Sequence, residues 1–281
     1  MKKYSFTGET KDLCGIIVRR IKAERDIPLA GVKRGDLGGW IESESNLSQN
    51  GECWVGDSAK VYGKARVTEN ARVIDRATVQ DNAHVYGNAL VEKCACLLES
   101  AKVYGKATVS DDVRVYGQVK VCGYAVVSSN TRLYGRAIIC ENAQVSGDAR
   151  IYDDAKIYGS ASVGDDAWVC DKARICGRAQ VCANAFVFGE CRIYGEAIVT
   201  GKTKVSGKAQ VCGKSSVSGS SQISGNAKIY GNAIVTNTRV DGDKKISGDS
   251  WFYEGSPIDA NAEEYADVII SGGSIVRLQM Q

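Results

Sequence analysis

The fold of this 281-residue chain is decided by stretches such as AHVYGNALVEKCACLLESAKVYGK, which runs from Ala83 to Lys106. An aliphatic residue recurs at every sixth position of this stretch. The same spacing holds from Val55 to Val235, at 31 positions that are all Val, Ile or Leu. Two residues before each of them, from Ala59 onward, lies a small residue. It is Ala in most repeats, and the exceptions are Val113, Val119, Thr131, Cys191, Thr203, Ser215 and Ser221.

A period of six does not match the 3.6-residue turn of an α-helix. It matches a four-residue strand, with the small and the aliphatic residue pointing inward, followed by a two-residue corner. The corners are rich in Gly, Asn and Asp, which tolerate positive φ or bond locally to the backbone. Three such sides close an 18-residue coil, and coils stack at the strand spacing of roughly 4.8 Å. The sequence predicts an all-β parallel β-helix, a solenoid of about eleven coils.

The ends of the chain break the period. We predict an N-terminal cap over residues 1–46, a β-helix over 47–252, and a C-terminal cap or oligomerisation segment over 253–281. A cap at each end is expected because a solenoid otherwise exposes open sheet edges that invite association.

Local patterns refine these ends. Ile16–Ala23 alternates weakly and predicts a strand, and the spacing from Val235 to Val240 is one residue short, which predicts a tightened corner. Asp259–Asp267 is compatible with a short helix. Val268–Leu278 is divided by two glycines and predicts a hairpin.

Composition excludes several classes of protein. Lys and Arg number 36 against 33 Asp and Glu, so total charge gives no signal for nucleic acid or membranes. The eleven cysteines are odd in number and contain no CxxC pair, which argues against a disulfide scaffold or a zinc site. The start, MKKYSFTGETKDL, lacks the apolar core of a signal peptide, and no apolar run reaches the ~20 residues of a membrane span. We expect a reduced, cytoplasmic protein with no metal.

Three segments outside the generic repeat carry a resemblance to a known family: VRRIKA from Val18 to Ala23, GDLGGWIE from Gly35 to Glu42, and NLSQNGECWV from Asn46 to Val55. With the hexads, they make the chain resemble the hexapeptide-repeat transferase superfamily. The chain is most similar to the YdcK-like branch, whose members are labelled acyltransferases because of the repeat. The resemblance implies a left-handed winding, which the period alone does not dictate.

Enzymes of that superfamily use a histidine as general base, insert long loops between coils, and are usually trimers with an acyl-CoA or acyl-carrier donor between subunits. This sequence departs from that pattern, because no loop interrupts the hexads and the only histidine is His84. Its neighbours one coil away, Arg66 and Lys102, would oppose protonation. We therefore predict no catalytic residue, with His84 as the one candidate. We expect no cofactor, and acetyl-CoA or another acyl-CoA only for an acyltransferase.

One column of the coil contains Cys122, Cys140, Cys176 and Cys212, spaced by one or two coils. Cys122 and Cys140 would lie near enough for a disulfide. A stacked parallel pair would be strained, so we favour the alternative that these cysteines are small residues standing in place of tyrosine. A nucleophilic cysteine would need a histidine or an acid beside it, and the sequence offers neither.

Outward-facing positions separate by charge when they are sorted by side. The residues before and after each core aliphatic define a basic side, with Lys102, Lys120, Lys156, Arg174 and Arg192 beside Tyr86, Tyr104, Tyr158 and Tyr194. They also define an arginine–tyrosine side, with Arg114, Arg132 and Arg150 beside Tyr116, Tyr134 and Tyr152. No Asp or Glu occupies a position before a core aliphatic. One interpretation is that these stems cover sheet surface while corner acids neutralise them. The other is that stacked like charges bind an anion, with tyrosines offering cation–π contacts and stacking surfaces.

The third side is nearly uncharged and includes Trp54, Leu90, Val126, Ile198 and Ile234. Open β faces with such residues associate readily. We expect a homo-oligomer that buries this uncharged side, and the resemblance implies a trimer.

Three functional hypotheses follow. We prefer a non-enzymatic binding or scaffold solenoid that presents its basic-aromatic sides to an anionic or protein partner. The first alternative is a CoA-dependent acyltransferase, which the resemblance implies. The second is a protein that sequesters nucleotides or nucleic acid. Catalysis needs one localised constellation, whereas these repeats are close to uniform.

Overall fold

A computed structural model describes residues 2–253, 263–271 and 274–277. These residues form two compact units, one ending at Glu141 and one beginning at Asn142. Each unit consists mainly of stacked coils of three short strands, and from Trp54 to Gln222 the strands of the coils pair in parallel with those 18 residues along the chain.

The first unit begins with three longer strands: β1 (Tyr4–Leu13), β2 (Ile16–Ala23) and β3 (Leu37–Ile41), together with 3₁₀ turns at Pro28–Ala30 and Glu44–Asn46. On the arginine–tyrosine side, the strands of its coils are Lys60–Val61, Thr78–Val79, Cys96–Leu97, Arg114–Val115 and Arg132–Leu133. On the basic side, they are Arg66–Val67, His84–Val85, Lys102–Val103, Lys120–Val121 and Ile138–Ile139. On the uncharged side, they are Trp54–Val55, Arg72–Val73, Leu90–Val91, Thr108–Val109 and Val126–Val127.

The second unit repeats this arrangement. On the arginine–tyrosine side, its strands are Arg150–Ile151, Trp168–Val169, Phe186–Val187, Lys204–Val205, Gln222–Ile223 and Arg239–Val240. On the basic side, they are Lys156–Ile157, Arg174–Ile175, Arg192–Ile193, Gln210–Val211, Lys228–Ile229, Lys245–Ser247 and Glu264–Ala266. On the uncharged side, they are Gln144–Val145, Ser162–Val163, Gln180–Val181, Ile198–Val199, Ser216–Ser218, Ile234–Thr236, Trp251–Phe252 and Val268–Ser271, and Ser274–Arg277 pairs antiparallel with the last of these.

The core of each unit is the column of aliphatic residues that the period predicts. All 31 aliphatic positions from Val55 to Val235 are completely buried, and so are the small residues two positions before them. Backbone N–H groups of one coil donate to carbonyls of the next, as from Lys102 to Val119 at 2.9 Å. The inward orientation predicted for this run is confirmed.

The Thr and Ser hydroxyl groups at small core positions donate hydrogen bonds to nearby backbone carbonyls. Thr131 Oγ1 donates to the carbonyl of Ser128 at 2.7 Å, and Ser221 Oγ donates to that of Ser218 at 2.7 Å. A buried hydroxyl without a partner would cost roughly 1–3 kcal/mol, so this bond to the third preceding carbonyl explains why Thr and Ser replace Ala there.

The corners use carboxylates in a way that the sequence pattern does not reveal. Asp111 adopts the left-handed conformation at φ 63°, and its Oδ2 accepts the backbone N–H of Ser129 in the next coil at 3.0 Å. Asp165 and Asp171 do the same for Ala183 and Gly189, at 2.9 and 2.8 Å. These acids therefore stabilise the backbone of the next corner as well as lowering the net charge.

The N-terminal strands cover the first coil. The strand predicted at Ile16–Ala23 is confirmed as β2, and β3 pairs in parallel with Lys60–Val61. A Cβ on Gly38 would lie 2.6 Å from Trp54 Cζ2 and one on Gly39 would lie 2.7 Å from the carbonyl of Ala59, so GDLGGWIE contains glycine where two backbones approach closely.

That contact corrects one expectation. The repeat predicts Trp54 on the outward surface of the uncharged side, but the residue is only 3% exposed because β3 lies over it.

At the other end, the predicted short helix over Asp259–Asp267 is wrong where it is described. Glu264–Ala266 forms a strand that pairs with Lys245–Ser247, and Tyr265 packs edge-to-face on Phe252 at 5.4 Å. The open sheet edge supplies backbone hydrogen-bond partners that an isolated helical turn lacks. The preceding residues of that prediction, 259–262, lie outside the described residues.

The C-terminal hairpin predicted from Val268 to Leu278 is confirmed for Val268–Ser271 and Ser274–Arg277. Its two glycines and Leu278 lie outside the described residues. The shortened spacing near Val240 is also confirmed, because Gln222 pairs with Arg239, 17 residues on, and Asn237 makes the corner at φ 52°.

We predict that Gly105→Ala lowers the free energy of unfolding by about 1–3 kcal/mol. Gly105 has φ +75°, and a Cβ there would lie 3.0 Å from the backbone N of Gly123 in the next coil. Gly242→Ala is the matched control, because Gly242 has φ +68° with nothing within 4 Å of its Cβ. It should cost less, roughly 1 kcal/mol. Urea unfolding measures both, and equal losses would contradict the role assigned to inter-coil contact.

Candidate anion-binding sides

Each side of a coil presents two columns of outward residues, one before and one after the core aliphatic. Strand pairing places residues 18 apart side by side, so Lys102 neighbours both His84 and Lys120 in the first unit. In the second unit, Arg174 neighbours both Lys156 and Arg192. The structure thus brings the predicted basic residues into register within each unit.

The basic residues of the second unit are available to a partner. Lys156, Arg174 and Arg192 are all exposed. Within the described part of the chain none of the three forms an ion pair, whereas the neighbouring Lys172 binds Glu190 at 3.2 Å and Arg178 binds Glu196 at 3.4 Å. Corner acids therefore pair with corner cations and leave this column without neutralising partners.

The surface around these arginines is concave. Arg174, Arg192 and Gln210 line a groove of about 510 Å³ together with the corner residues Lys172, Glu190 and Lys208. A second cavity, of about 230 Å³, lies on the other flank of the two arginines and is lined by Tyr158, Arg174, Cys176, Arg192 and Tyr194. Four cations and one acid line these two adjoining cavities, so their electrostatic potential favours anions.

In the first unit, His84 lies in the basic column between Arg66 and Lys102. Its Nε2 is 3.0 Å from Thr68 Oγ1, and its ring lies 4.5 Å from that of Tyr86. Burial and then the charges of Arg66 and Lys102 lower the pKa of His84, while Glu69 opposes the shift. The imidazole is therefore neutral at neutral pH.

Tyrosines of one column stack on one another. The rings of Tyr86 and Tyr104 lie 4.8 Å apart at 4°, and those of Tyr116 and Tyr134 lie 4.9 Å apart at 3°. The expected pairing of arginine with tyrosine is replaced here by tyrosine on tyrosine, since column neighbours are one strand spacing apart.

On the arginine–tyrosine side of the second unit, the guanidinium of Arg150 lies over the ring of Trp168 at 4.6 Å. Phe186 meets Trp168 edge-to-face at 6.0 Å. In the first unit, Arg114 and Arg132 are register partners. The arginines of this side lie where the repeat predicts. Trp168 and Phe186 extend the aromatic surface that begins at Tyr152, whose ring is 6.3 Å from that of Trp168. The sequence places both residues on this side, although they are not in the predicted set of binding residues.

Three cysteines of the tyrosine column, Cys122, Cys176 and Cys212, follow a tyrosine one coil earlier, whereas Cys140 follows Cys122. Hydrogen bonds with Cys122, Cys176 and Cys212 raise the pKa of Tyr104, Tyr158 and Tyr194 respectively, the last to about 12. All eleven cysteines are free thiols, so Cys122 and Cys140 are not joined. The small-residue interpretation of this column is the one that fits.

The described residues contain no group of three or more His, Cys, Asp or Glu side chains arranged to hold a metal ion. Nor does the described part of the chain include a helix with the length and apolar character needed to cross a membrane.

Comparison with known families finds the YdcK β-solenoid repeat, matched at residues 143–159 and 227–243. Comparison with curated proteins finds no match.

Similar solved structures include an Arabidopsis UDP-N-acetylglucosamine acyltransferase, at 18% identity over 65% of this chain and 69% of that chain with a TM-score of 0.39. They also include the UDP-N-acetylglucosamine O-acyltransferase LpxA of Moraxella catarrhalis RH4, at 17% identity over 68% and 72% with a TM-score of 0.28. LpxA of Acinetobacter baumannii is 11% identical over 68% and 72%, with a TM-score of 0.31. Likenesses this distant transfer no activity to the chain.

The fold class predicted from the sequence, an all-β parallel β-helix of hexapeptide repeats, is confirmed. The resemblance that the sequence carries is confirmed for the repeat itself: the YdcK β-solenoid repeat matches two segments of the chain, residues 143–159 and 227–243.

Proposed function

We propose that this solenoid is a non-enzymatic binding protein whose basic side takes an anionic partner. The observation that carries the proposal is the in-register column of Lys156, Arg174 and Arg192, exposed and without ion pairs among the described residues. Like charges held one strand spacing apart repel each other, and an anion lying along the column removes that repulsion.

The neighbouring tyrosines support the same proposal. Tyr158 and Tyr194 flank the arginines, and hydrogen bonding to cysteine raises the pKa of both phenols, so they are neutral at neutral pH and do not repel an anion. Their rings offer stacking surface next to the cations, a combination that proteins use for nucleotides and single-stranded nucleic acids.

Acyl transfer is the second candidate, and it rests on His84. A lowered pKa keeps the imidazole neutral, as a general base requires, and Thr68 Oγ1 fixes one ring nitrogen. Against this candidate, the charges of Arg66 and Lys102 disfavour the imidazolium formed during catalysis, and each acts more strongly than the opposing charge of Glu69. An acyl-CoA donor would be needed only for this second function.

A homo-oligomer that buries the uncharged side remains part of the proposal. Val126 is 40% exposed on that side of the first unit, and Ile198 and Ile234 are half-buried on the same side of the second. Burying such residues between subunits would be favourable by roughly 25 cal/mol per Å² of apolar surface. The trimer implied by the family resemblance is the expected state.

We predict that heparin binds and that its affinity falls as salt rises, because each phosphate or sulfate contact releases counterions. Arg174→Gln and Lys156→Gln should each lower the slope of log affinity against log salt by about one. Arg178→Gln should leave it unchanged, since Arg178 already pairs with Glu196. Titrations at several salt concentrations measure this. Absence of binding at low salt, or no effect of charge reversal at Lys120 and Lys156, would contradict the proposed function.

We predict that purified protein transfers no acetyl group from acetyl-CoA to small amines or alcohols. The reason is that burial and the charges of Arg66 and Lys102 disfavour the protonated form of the only histidine and together outweigh Glu69. The protein is removed after the reaction, and a thiol reagent then measures the free CoA that has been released. Turnover that disappears in His84→Ala would reverse the order of the two candidates.

We predict that His84 titrates below its ordinary pKa of roughly 6.5, and that Lys102→Gln raises the midpoint, because removing a neighbouring positive charge favours the imidazolium. Lys60→Gln, on another side of the same unit, is the control and should have no effect. NMR of the imidazole C–H signals reports the titration midpoint of His84. If Lys102→Gln leaves this midpoint unchanged, the charge of Lys102 does not act on His84 as proposed.

We predict that light scattering at micromolar concentration gives a mass above that of one chain, and that Val126→Lys reduces it. A lysine ammonium cannot be buried without a partner in an apolar contact. Thr78→Lys places the same charge on the arginine–tyrosine side and should leave the mass unchanged. A monomeric wild-type protein, with solubility unaffected by Val126→Lys, would contradict the expected interface.

A further inference from the structure

The 230 Å³ cavity on the basic side of the second unit is built from a gap in the tyrosine column. Its floor is Cys176, and the residues 18 positions before and after it are Tyr158 and Tyr194. In the first unit, where Tyr86 is followed directly by Tyr104, the two rings stack at 4.8 Å. A cysteine in that column therefore leaves open the space that one aromatic ring would fill.

Two guanidinium groups adjoin the gap. Arg174 begins the strand Arg174–Ile175, which Cys176 follows directly, and Arg192 is the register partner of Arg174 in the next coil. Both line the cavity. The nearest acid of the adjoining groove, Glu190, is held by Lys172 at 3.2 Å. Paired planar guanidinium groups match the oxygens of a phosphate better than a single ammonium does.

We propose that this cavity binds a planar aromatic ring that carries a phosphate group. The ring lies over Cys176 between Tyr158 and Tyr194, and the phosphate is bound by Arg174 and Arg192. The volume supports a single small ring system, since it is below the roughly 300–1,000 Å³ of drug-sized ligand pockets. This inference rests on the proposed anion-binding function and specifies its ligand chemistry. A free nucleotide and one unit of a single-stranded nucleic acid both present that chemistry.

Alkylation of Cys176 provides a direct reading of occupancy, because this thiol is half-buried at the floor of the cavity. With the full-length protein, adenosine 5′-monophosphate is expected to slow alkylation of Cys176, measured peptide by peptide in a mass spectrometer. Cys212, two coils further along the same column, and the exposed Cys14 lie outside the cavity and should react unchanged. Inorganic phosphate or adenosine alone should protect Cys176 less.

Cys176→Tyr is the variant expected to close the site while the fold is kept. It recreates the tyrosine pair that Tyr86 and Tyr104 already form, so the variant is expected to fold while its own ring fills the cavity. It should lose adenosine 5′-monophosphate binding by isothermal titration calorimetry and keep the salt-dependent binding of heparin. Cys212→Tyr is the matched control and should retain both. Tyr194→Ala should weaken the nucleotide on the order of tenfold, without changing the salt slope.

The outcomes separate the two proposals. Protection of Cys176 by the free nucleotide, or by a short oligodeoxynucleotide only, supports the inference and identifies the source of the ligand. Unchanged reactivity of Cys176 with both ligands, or nucleotide binding by Cys176→Tyr equal to that of the wild-type protein, overturns it. If heparin still binds in that case, the anion-binding function stands and only the cavity assignment fails. If no anion binds at low salt, both fail.

Discussion

Register between successive coils is the constraint on which the rest of this structure depends. Parallel pairing places each residue beside the one 18 positions later, about one strand spacing away, so side chains interact mainly within columns. Aliphatic columns fill the interior, tyrosines stack on tyrosines, and corner acids accept backbone N–H groups of the next coil. A favourable residue at one level is thus favourable at every level, which explains why the repeat is so regular.

The same register makes the basic column electrostatically unfavourable unless an anion is bound to it. Lys156, Arg174 and Arg192 repel one another, while the corner acids Glu190 and Glu196 pair with Lys172 and Arg178. Cation–acid pairs at the corners contribute little individually because they are exposed. They nevertheless leave the potential of the flat side uncompensated. The proposed anion-binding function follows from this division between corners and faces.

Departures from the repeat are the informative positions. Cys176 interrupts a tyrosine column and opens a cavity, and Gly38 and Gly39 allow β3 to lie against the first coil. His84 replaces lysine or arginine in the basic column, and its neighbours lower its pKa. Such positions draw attention because the surrounding repeats show what a column would otherwise contain.

Sequence alone determined the coil, the buried positions, the strand at Ile16–Ala23 and the sides on which charges lie, because a six-residue period admits one alternation of inward and outward residues. It also placed Arg66 and Lys102 beside His84. Tertiary structure decided what depends on neighbours from other coils. Trp54 is buried by β3, Glu264–Ala266 joins a sheet edge instead of forming a helix, and Cys176 forms a cavity only because Tyr158 and Tyr194 stand on either side. These outcomes depend on packing between segments that are distant in sequence. A local sequence pattern does not indicate which distant segment will pack against a given residue.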